Sequence, residues 1–132
     1  MQGLLFSFDG RVNRAKFWLV VIATDIVLFV LFGILAAVTG VSMDMPADGS
    51  MPSFGGAGLV GGLIGLLLVV LAVWIGLAMG VKRYHDRNKS GWWVLIALVP
   101  VIGGLWYLIE CGFLRGTAGP NQYGADPLAG AA

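Results

Sequence analysis

The fold is decided by an uncharged run at residues 59–81, LVGGLIGLLLVVLAVWIGLAMGV. Two further runs are nearly as apolar: 17–38, with Thr24 and Asp25 as its polar interruptions, and 92–109, which carries no charge. A helix rises about 1.5 Å per residue, so roughly 20 apolar residues cross a hydrocarbon core of about 30 Å. Because 58% of the 132 residues are hydrophobic, a soluble domain is excluded. The sequence predicts an all-α membrane protein.

Basic residues are concentrated at one end of these runs. Seven of them lie before the first run or between the second and third: Arg11, Arg14, Lys16, Lys82, Arg83, Arg87 and Lys89. The connection 39–58 contains Asp44 and Asp48 but no basic residue. By the positive-inside rule, the N-terminus and the 82–91 loop are cytoplasmic, and the 39–58 loop lies outside. These positions already explain the positive charge, so a nucleic-acid surface is not expected.

We expect a single membrane domain, a three-helix transmembrane bundle with a kinked third helix. Its parts are a lead-in 1–16, a first span 17–38, an outer loop 39–58, a second span 59–81, a cytoplasmic loop 82–91, a third span 92–114 and a tail 115–132. Pro100 removes a helix donor and predicts the kink. A re-entrant turn at 100–104 is the alternative, and it would return the tail to the cytoplasm. The first span exceeds the roughly 7–15 residues of a signal-peptide core, which favours a retained helix.

Small residues line one face of the second span. They fall within an arc of about 100° when plotted on a helix, and they are Gly58, Gly61, Gly65, Ala72, Gly76 and Gly80. Close backbone approach over small residues is a common way for helices to associate in lipid. We favour packing against the other helices of the same chain, with a dimer interface as the alternative.

Asp25 and Trp74 are the polar side chains expected inside the membrane. A carboxylate near the middle of a span disfavours insertion by roughly 2.5–3.5 kcal/mol. Depth arithmetic places Asp25, Trp74 and Pro100 in one layer. The structural hypothesis is a neutral Asp25 that donates to the carbonyl of Ile96, freed by Pro100, and accepts from the Trp74 indole. Glu110, about 27 Å from the inner boundary in a three-crossing fold, is expected near Arg115.

The cytoplasmic edge holds the candidate site residues: Arg11, Arg14, Arg83, His85, Asp86 and Trp92. One histidine and one cysteine do not suggest a metal site. No nucleophile with a pocket is recognisable, so no catalytic residue and no cofactor are predicted. A salt-bridged clamp, in which Asp9 and Asp86 accept from arginines, is the favoured interpretation. A basic rim of this kind could also hold an anionic lipid head group.

Three sequence blocks resemble a known family. The segment FDGRVNRAKFW at 8–18 matches F-x-G-R-x-x-R-x-x-F/Y-W, and RYHD at 83–86 followed by SGWW at 90–93 resembles R-L-H-D…S-x-W-W, with Tyr84 in place of leucine. The tail GPNQYGADP at 119–127 is similar to G-x-N-x-Y/F-G-x-D-P. Together they resemble the YhaH-type bacterial inner-membrane proteins, a domain of unknown function numbered eight hundred and five. The resemblance implies an inner-membrane location and attaches no activity. It also favours a tail that lies beside the other two blocks.

The sequence therefore predicts a non-enzymatic, multi-pass protein of the bacterial inner (plasma) membrane, with its N-terminus in the cytoplasm. Its expected role is structural, or the binding of a protein partner or anionic phospholipid at the cytoplasmic rim. The alternative is a small transporter or channel component that uses Asp25. Because three helices enclose little pore, that alternative implies a homo-oligomer.

Overall fold

The computed structural model describes residues 2–40, 46–50 and 56–129, in which the regular elements are helices beside one isolated bridge, Asn121–Gly124. The elements are α1 (Gln2–Leu5), α2 (Arg14–Thr39), α3 (Gly56–Asp86), a 3₁₀ helix (Gly91–Leu98), α4 (Ile102–Tyr107) and a π-helical segment (Leu108–Phe113). The all-α class is confirmed for these ranges. Of the predicted outer loop, residues 41–45 and 51–55 lie outside the described residues. The chain forms two compact units: unit 1 (Met1–Ala23 with Val73–Ala132) and unit 2 (Thr24–Ala72).

The two long helices contain the first and second predicted spans. Both α2 and α3 are long and apolar enough to cross a membrane. At the start of α2, the Asn13 side-chain oxygen accepts from the Lys16 backbone N–H at 2.8 Å, which satisfies one of the free donors of the first turn. Large apolar side chains on both helices, among them Phe29 and Leu59, are exposed, as is expected where lipid is the solvent.

The end of α3 is fixed by a left-handed asparagine. Asn88 has φ 60°, a conformation that asparagine tolerates better than most residues. Its N–H donates to the His85 carbonyl, and the Lys89 N–H donates to the Tyr84 carbonyl, both at 2.9 Å. This pair of bonds is a Schellman motif, and it ends the helix directly after the RYHD block.

The third apolar segment is not one kinked helix. The 3₁₀ helix ends before Pro100, and Val101 then adopts φ 64°. The Ile102 N–H donates to the Pro100 carbonyl at 2.7 Å, closing a tight turn. After that turn, α4 packs back along the 3₁₀ helix so closely that a Cβ on Gly103 would lie 1.8 Å from the Ile96 carbonyl oxygen.

Glu110 shows how far the chain reverses. Its carboxylate pairs with Lys89 and with Arg87, just after α3. A continuous helix would separate positions 89 and 110 by about 31 Å. The expected single kinked crossing at 92–114 is therefore wrong, as is the placement of Glu110 at the far end of the segment. Pro100, which lacks an N–H, and the glycines after it allow the hairpin that the sequence left as the alternative.

Unit 1 has a small core beneath these segments. Phe17 and Val20 of α2, Met79 and Tyr84 of α3, and Cys111 are buried together. Glycine lets the segments approach one another, since a Cβ on Gly80 would lie 2.7 Å from the Tyr107 hydroxyl.

Unit 2 pairs the second part of α2 with the first part of α3. A Cβ on Gly61 would lie 2.7 Å from the Thr39 side chain, and one on Gly65 would lie 3.1 Å from the Phe32 ring. These two positions of the small-residue face are therefore used for packing within the chain, as favoured from the sequence. Gly62, beside them, faces open space.

Candidate functional site

The first two sequence blocks and the end of the third segment meet in unit 1 around the buried side chain of Arg83. Its Nε donates to the Cys111 carbonyl at 2.7 Å, and its Nη2 donates to the Leu114 carbonyl at 2.8 Å. Nη1 donates to the Val12 carbonyl at 2.9 Å and to Asp86 Oδ2 at 2.6 Å. The Arg83 side chain is 0% exposed. One guanidinium thus ties the lead-in, α3 and the returning hairpin together through charge-assisted hydrogen bonds.

Arg11 makes the corresponding link to the tail. Its guanidinium donates to Asp86 Oδ1 at 3.0 Å and to the carbonyls of Thr117 and Gly119 at 2.6 and 2.7 Å. The Arg11 side chain is 1% exposed. Because Asp86 also accepts from Arg83, one carboxylate bridges two buried arginines. We call Arg11, Arg83 and Asp86 the clamp.

The tail approaches the clamp through a glycine. A Cβ on Gly116 would lie 1.9 Å from Asp86 Oδ2, and the neighbouring Thr117 N–H donates to the Asp86 carbonyl at 2.6 Å. Only a residue without a side chain fits this approach. Farther along, Asp126 accepts from the Gly119 and Leu128 N–H groups, each at 2.9 Å. These bonds lower the pKa of Asp126 and fold the tail motif on itself.

His85 joins the second and third blocks. Its ring stacks on Tyr123, with centroids 3.9 Å apart and an interplanar angle of 6°, and its carbonyl accepts from Asn121 Nδ2 at 2.8 Å. Nδ1 lies 3.1 Å from the Gly10 carbonyl, so Nδ1 carries the proton and Nε2 of the neutral ring is an acceptor. Burial lowers the pKa of His85, and the Gly10 bond and the charge of Asp9 partly offset this.

Glu110 forms a second ionic cluster that the sequence did not predict. Its carboxylate accepts from Lys89, from Arg87 Nε at 3.2 Å and from Trp106 Nε1 at 2.5 Å. The Glu110 side chain is 4% exposed. The contact with Trp106 joins neighbours four residues apart, but no spacing pattern points to the contacts with Lys89 and Arg87, because they exist only when the third segment folds back.

The remaining predicted residues lie outside the clamp. Arg14 is exposed and donates to the Phe113 carbonyl at 2.8 Å. Trp92 is 78% exposed. Asp9 takes no part in the clamp; its carboxylate lies 3.5 Å from the Ser7 hydroxyl oxygen. Within the described ranges, no group of three His, Cys, Asp or Glu side chains could hold a metal ion.

The indole proposed as the donor to Asp25 is engaged elsewhere. The Trp74 indole donates to the Phe6 carbonyl at 3.3 Å and packs edge-on against Phe8. The Ile96 carbonyl accepts from the Val99 N–H at 3.0 Å. Asp25 belongs to unit 2 and is exposed on α2.

The chain is similar to known proteins over most of its length. Residues 5–125 match the family described as Protein of unknown function (DUF805). Inner membrane protein YhaH of Escherichia coli (strain K12) is 34% identical over 121 residues, covering 92% of this chain and 87% of the relative. Inner membrane protein YhaI of the same strain is 29% identical over 125 residues, covering 94% and 88%.

A third relative, Uncharacterized protein YiiR of Escherichia coli (strain K12), is 27% identical over 150 residues, covering 96% of this chain and 89% of the relative. No solved structure matches the chain. The family match includes the two arginines and the aspartate of the clamp and most of the tail motif. Two of these relatives, YhaH and YhaI, are named as inner membrane proteins, and the chain belongs to the DUF805 family.

Proposed function

We propose that this protein is a non-enzymatic, structural protein of the inner membrane that binds anionic phospholipid at its cytoplasmic rim. The clamp supports the structural part of this role. It encloses two arginines and an aspartate almost completely, and the arginines donate to backbone carbonyls of the lead-in, the third segment and the tail. Such an arrangement stabilises one geometry of lead-in, loop, hairpin and tail, and it leaves no reactive group exposed.

The proposal of lipid binding is supported by the exposure of Arg14 and Lys16. Arg11 and Arg83 have no exposed donor for a lipid, whereas Arg14 and Lys16 are both exposed. Only the backbone of Lys16 is used locally, in its bond to Asn13. Both residues lie within one turn of Phe17, where the first apolar run begins. That is the depth of phospholipid head groups.

The proposed topology has both long helices crossing the membrane and the third segment re-entering from the cytoplasmic side. The positive-inside rule supports a cytoplasmic N-terminus. The pairing of Glu110 with Lys89 supports a cytoplasmic tail, since both ends of the third segment lie at the same cluster. A reporter fused at the C-terminus should therefore be active in the cytoplasm, and a periplasmic signal would contradict the topology.

The lipid proposal is tested by titrating detergent-solubilised protein with phosphatidylglycerol and counting bound lipid by native mass spectrometry. Each basic residue at an anionic surface contributes about 1 kcal/mol, so Arg14→Gln with Lys16→Gln should weaken binding roughly 30-fold. The matched control, Arg14→Lys with Lys16→Arg, keeps both charges and should bind like the wild type. Equal affinity of the glutamine variant and the wild type would refute the proposal.

A further inference from the structure

Unit 1 also contains a groove of about 610 Å³ that lies apart from Arg14 and Lys16. Aromatic rings of Phe8, Trp92 and Tyr123 form part of its wall, and besides the Tyr123 hydroxyl its polar side chains are those of Asp9, His85 and Ser90. The volume is in the range of small-molecule sites. None of the lining residues is a lysine or arginine.

Asp9 and His85 present acceptors to this groove that favour a positively charged donor, whereas the hydroxyls of Ser90 and Tyr123 can donate or accept. Asp9 contributes a carboxylate, which accepts only. His85 uses Nδ1–H on the Gly10 carbonyl, so its Nε2 remains an acceptor. That Nε2 lies at the Gly91 wall, where a Cβ would be 3.2 Å away. Lys82 is close enough for its charge to interact with Asp9, but it is buried, and its ammonium donates to the carbonyls of Gly3 and Leu4.

The remaining walls of the groove are apolar. Leu77 and Val81 come from the last turns of the apolar run of α3, and Val94 and Leu95 come from the 3₁₀ helix. A ligand that fills the groove therefore needs a hydrocarbon part beside its charged end. Aromatic faces next to a carboxylate favour an ammonium group, through cation–π attraction and hydrogen bonding together.

We propose that this groove binds the head group and upper acyl chain of phosphatidylethanolamine, with the primary ammonium held by Asp9 and His85 Nε2. Three N–H donors suit two acceptors and the aromatic walls, while the acyl chain extends along Leu77 and Val81. A choline head group has the same charge but no N–H to donate. Phosphatidylglycerol has no cation. The site is separate from the anionic-lipid site, and its charge preference is opposite.

The test is native mass spectrometry of the full chain in detergent, with phosphatidylethanolamine, phosphatidylcholine or phosphatidylglycerol of identical acyl chains added separately. We expect wild-type protein to bind phosphatidylethanolamine at least tenfold more tightly than phosphatidylcholine. Asp9→Asn should weaken phosphatidylethanolamine binding about tenfold, while the matched change Asp48→Asn in the outer loop leaves it unchanged. Trp92→Ala should weaken it as well, unlike Trp93→Ala, since Trp93 does not line the groove.

The outcomes separate this proposal from the preceding one. Asp9 has no partner in the clamp, so Asp9→Asn should keep its helicity, which circular dichroism checks. Loss of phosphatidylethanolamine in Asp9→Asn, with phosphatidylglycerol binding intact, supports the groove. Wild-type protein that binds phosphatidylcholine as tightly, or Asp9→Asn that retains phosphatidylethanolamine, would overturn it, whatever Arg14→Gln with Lys16→Gln does to phosphatidylglycerol.

Discussion

Replacing Arg83 with lysine keeps the positive charge of the clamp and removes the planar fork that makes its hydrogen bonds. Arg83 donates to Asp86 and to three backbone carbonyls, over distances of 2.6–2.9 Å. A lysine ammonium has three donors on one nitrogen, so at least one of the four acceptors is left unpaired. Each buried acceptor that loses its partner costs about 1–3 kcal/mol. Arg83→Lys should therefore lower the free energy of unfolding by at least that amount.

The assay is reversible unfolding in mixed micelles, followed by circular dichroism as the fraction of denaturing detergent rises. Arg87→Lys is the matched control, because Arg87 is 23% exposed and donates to Glu110 and to one carbonyl. Glu110 is buried but keeps its bonds from Lys89 and Trp106 when Arg87 is changed, and a lysine retains the positive charge, so the control should lose less than Arg83→Lys. If the two variants lose equal stability, the clamp does not hold the fold in the way described.

Three further outcomes are expected in the same assay. Gly65→Leu forces a side chain against a ring 3.1 Å away and should cost about 1–3 kcal/mol, whereas Gly62→Leu, in open space, should not; equal effects would exclude tight packing at Gly65. Tyr84→Phe removes a buried hydroxyl that has no hydrogen-bond partner among the described residues, so stability should stay level or rise by about 1 kcal/mol. A clear loss of stability would contradict the lack of a hydrogen-bond partner. Because the pKa of His85 is lowered in the folded chain, the unfolded chain binds a proton at this ring more readily, and stability should fall as pH drops below about 6.5. A His85→Gln variant should lack that part of the pH dependence. If its stability depends on pH as that of the wild type does, the His85 ring is not buried as described.

The two long helices were predictable because a membrane span requires a long, predominantly apolar run, and few sequences contain such a run by chance. The third segment was not, since hydropathy and length cannot distinguish one crossing from a hairpin. Two features of the sequence indicated a hairpin. One is Pro100 with the two glycines after it, and the other is a tail motif that would be separated from the other two sequence blocks if the third segment crossed the membrane. The error at Glu110 followed from the same assumption about topology.

The clamp was predictable in part. Two opposite charges three residues apart on a helix, Arg83 and Asp86, indicate an ion pair, and the resemblance placed Arg11 in a motif of its own. The carbonyls that complete the site carry no sequence signal, because every residue has one. Since these carbonyls could not be recognised, the burial of Arg11 and Arg83 could not be predicted either. Lipid binding was therefore assigned to two side chains that the fold buries. The stacking of His85 on Tyr123 depends on the reversed hairpin and could not be read from spacing.

The contacts of Arg11 also set an order of events during synthesis. Thr117 and Gly119, whose carbonyls hold this side chain, follow it by 106 and 108 residues. When Asp86, the last residue of α3, is joined to the chain, these carbonyls have not yet been translated, so Arg11 lacks both partners in the interim. The hydrogen bonds between Arg11 and the tail therefore form late in biogenesis. A nascent chain that is stalled before Gly119 would contain both long helices, but the Arg11 guanidinium would lack the Gly119 carbonyl as an acceptor.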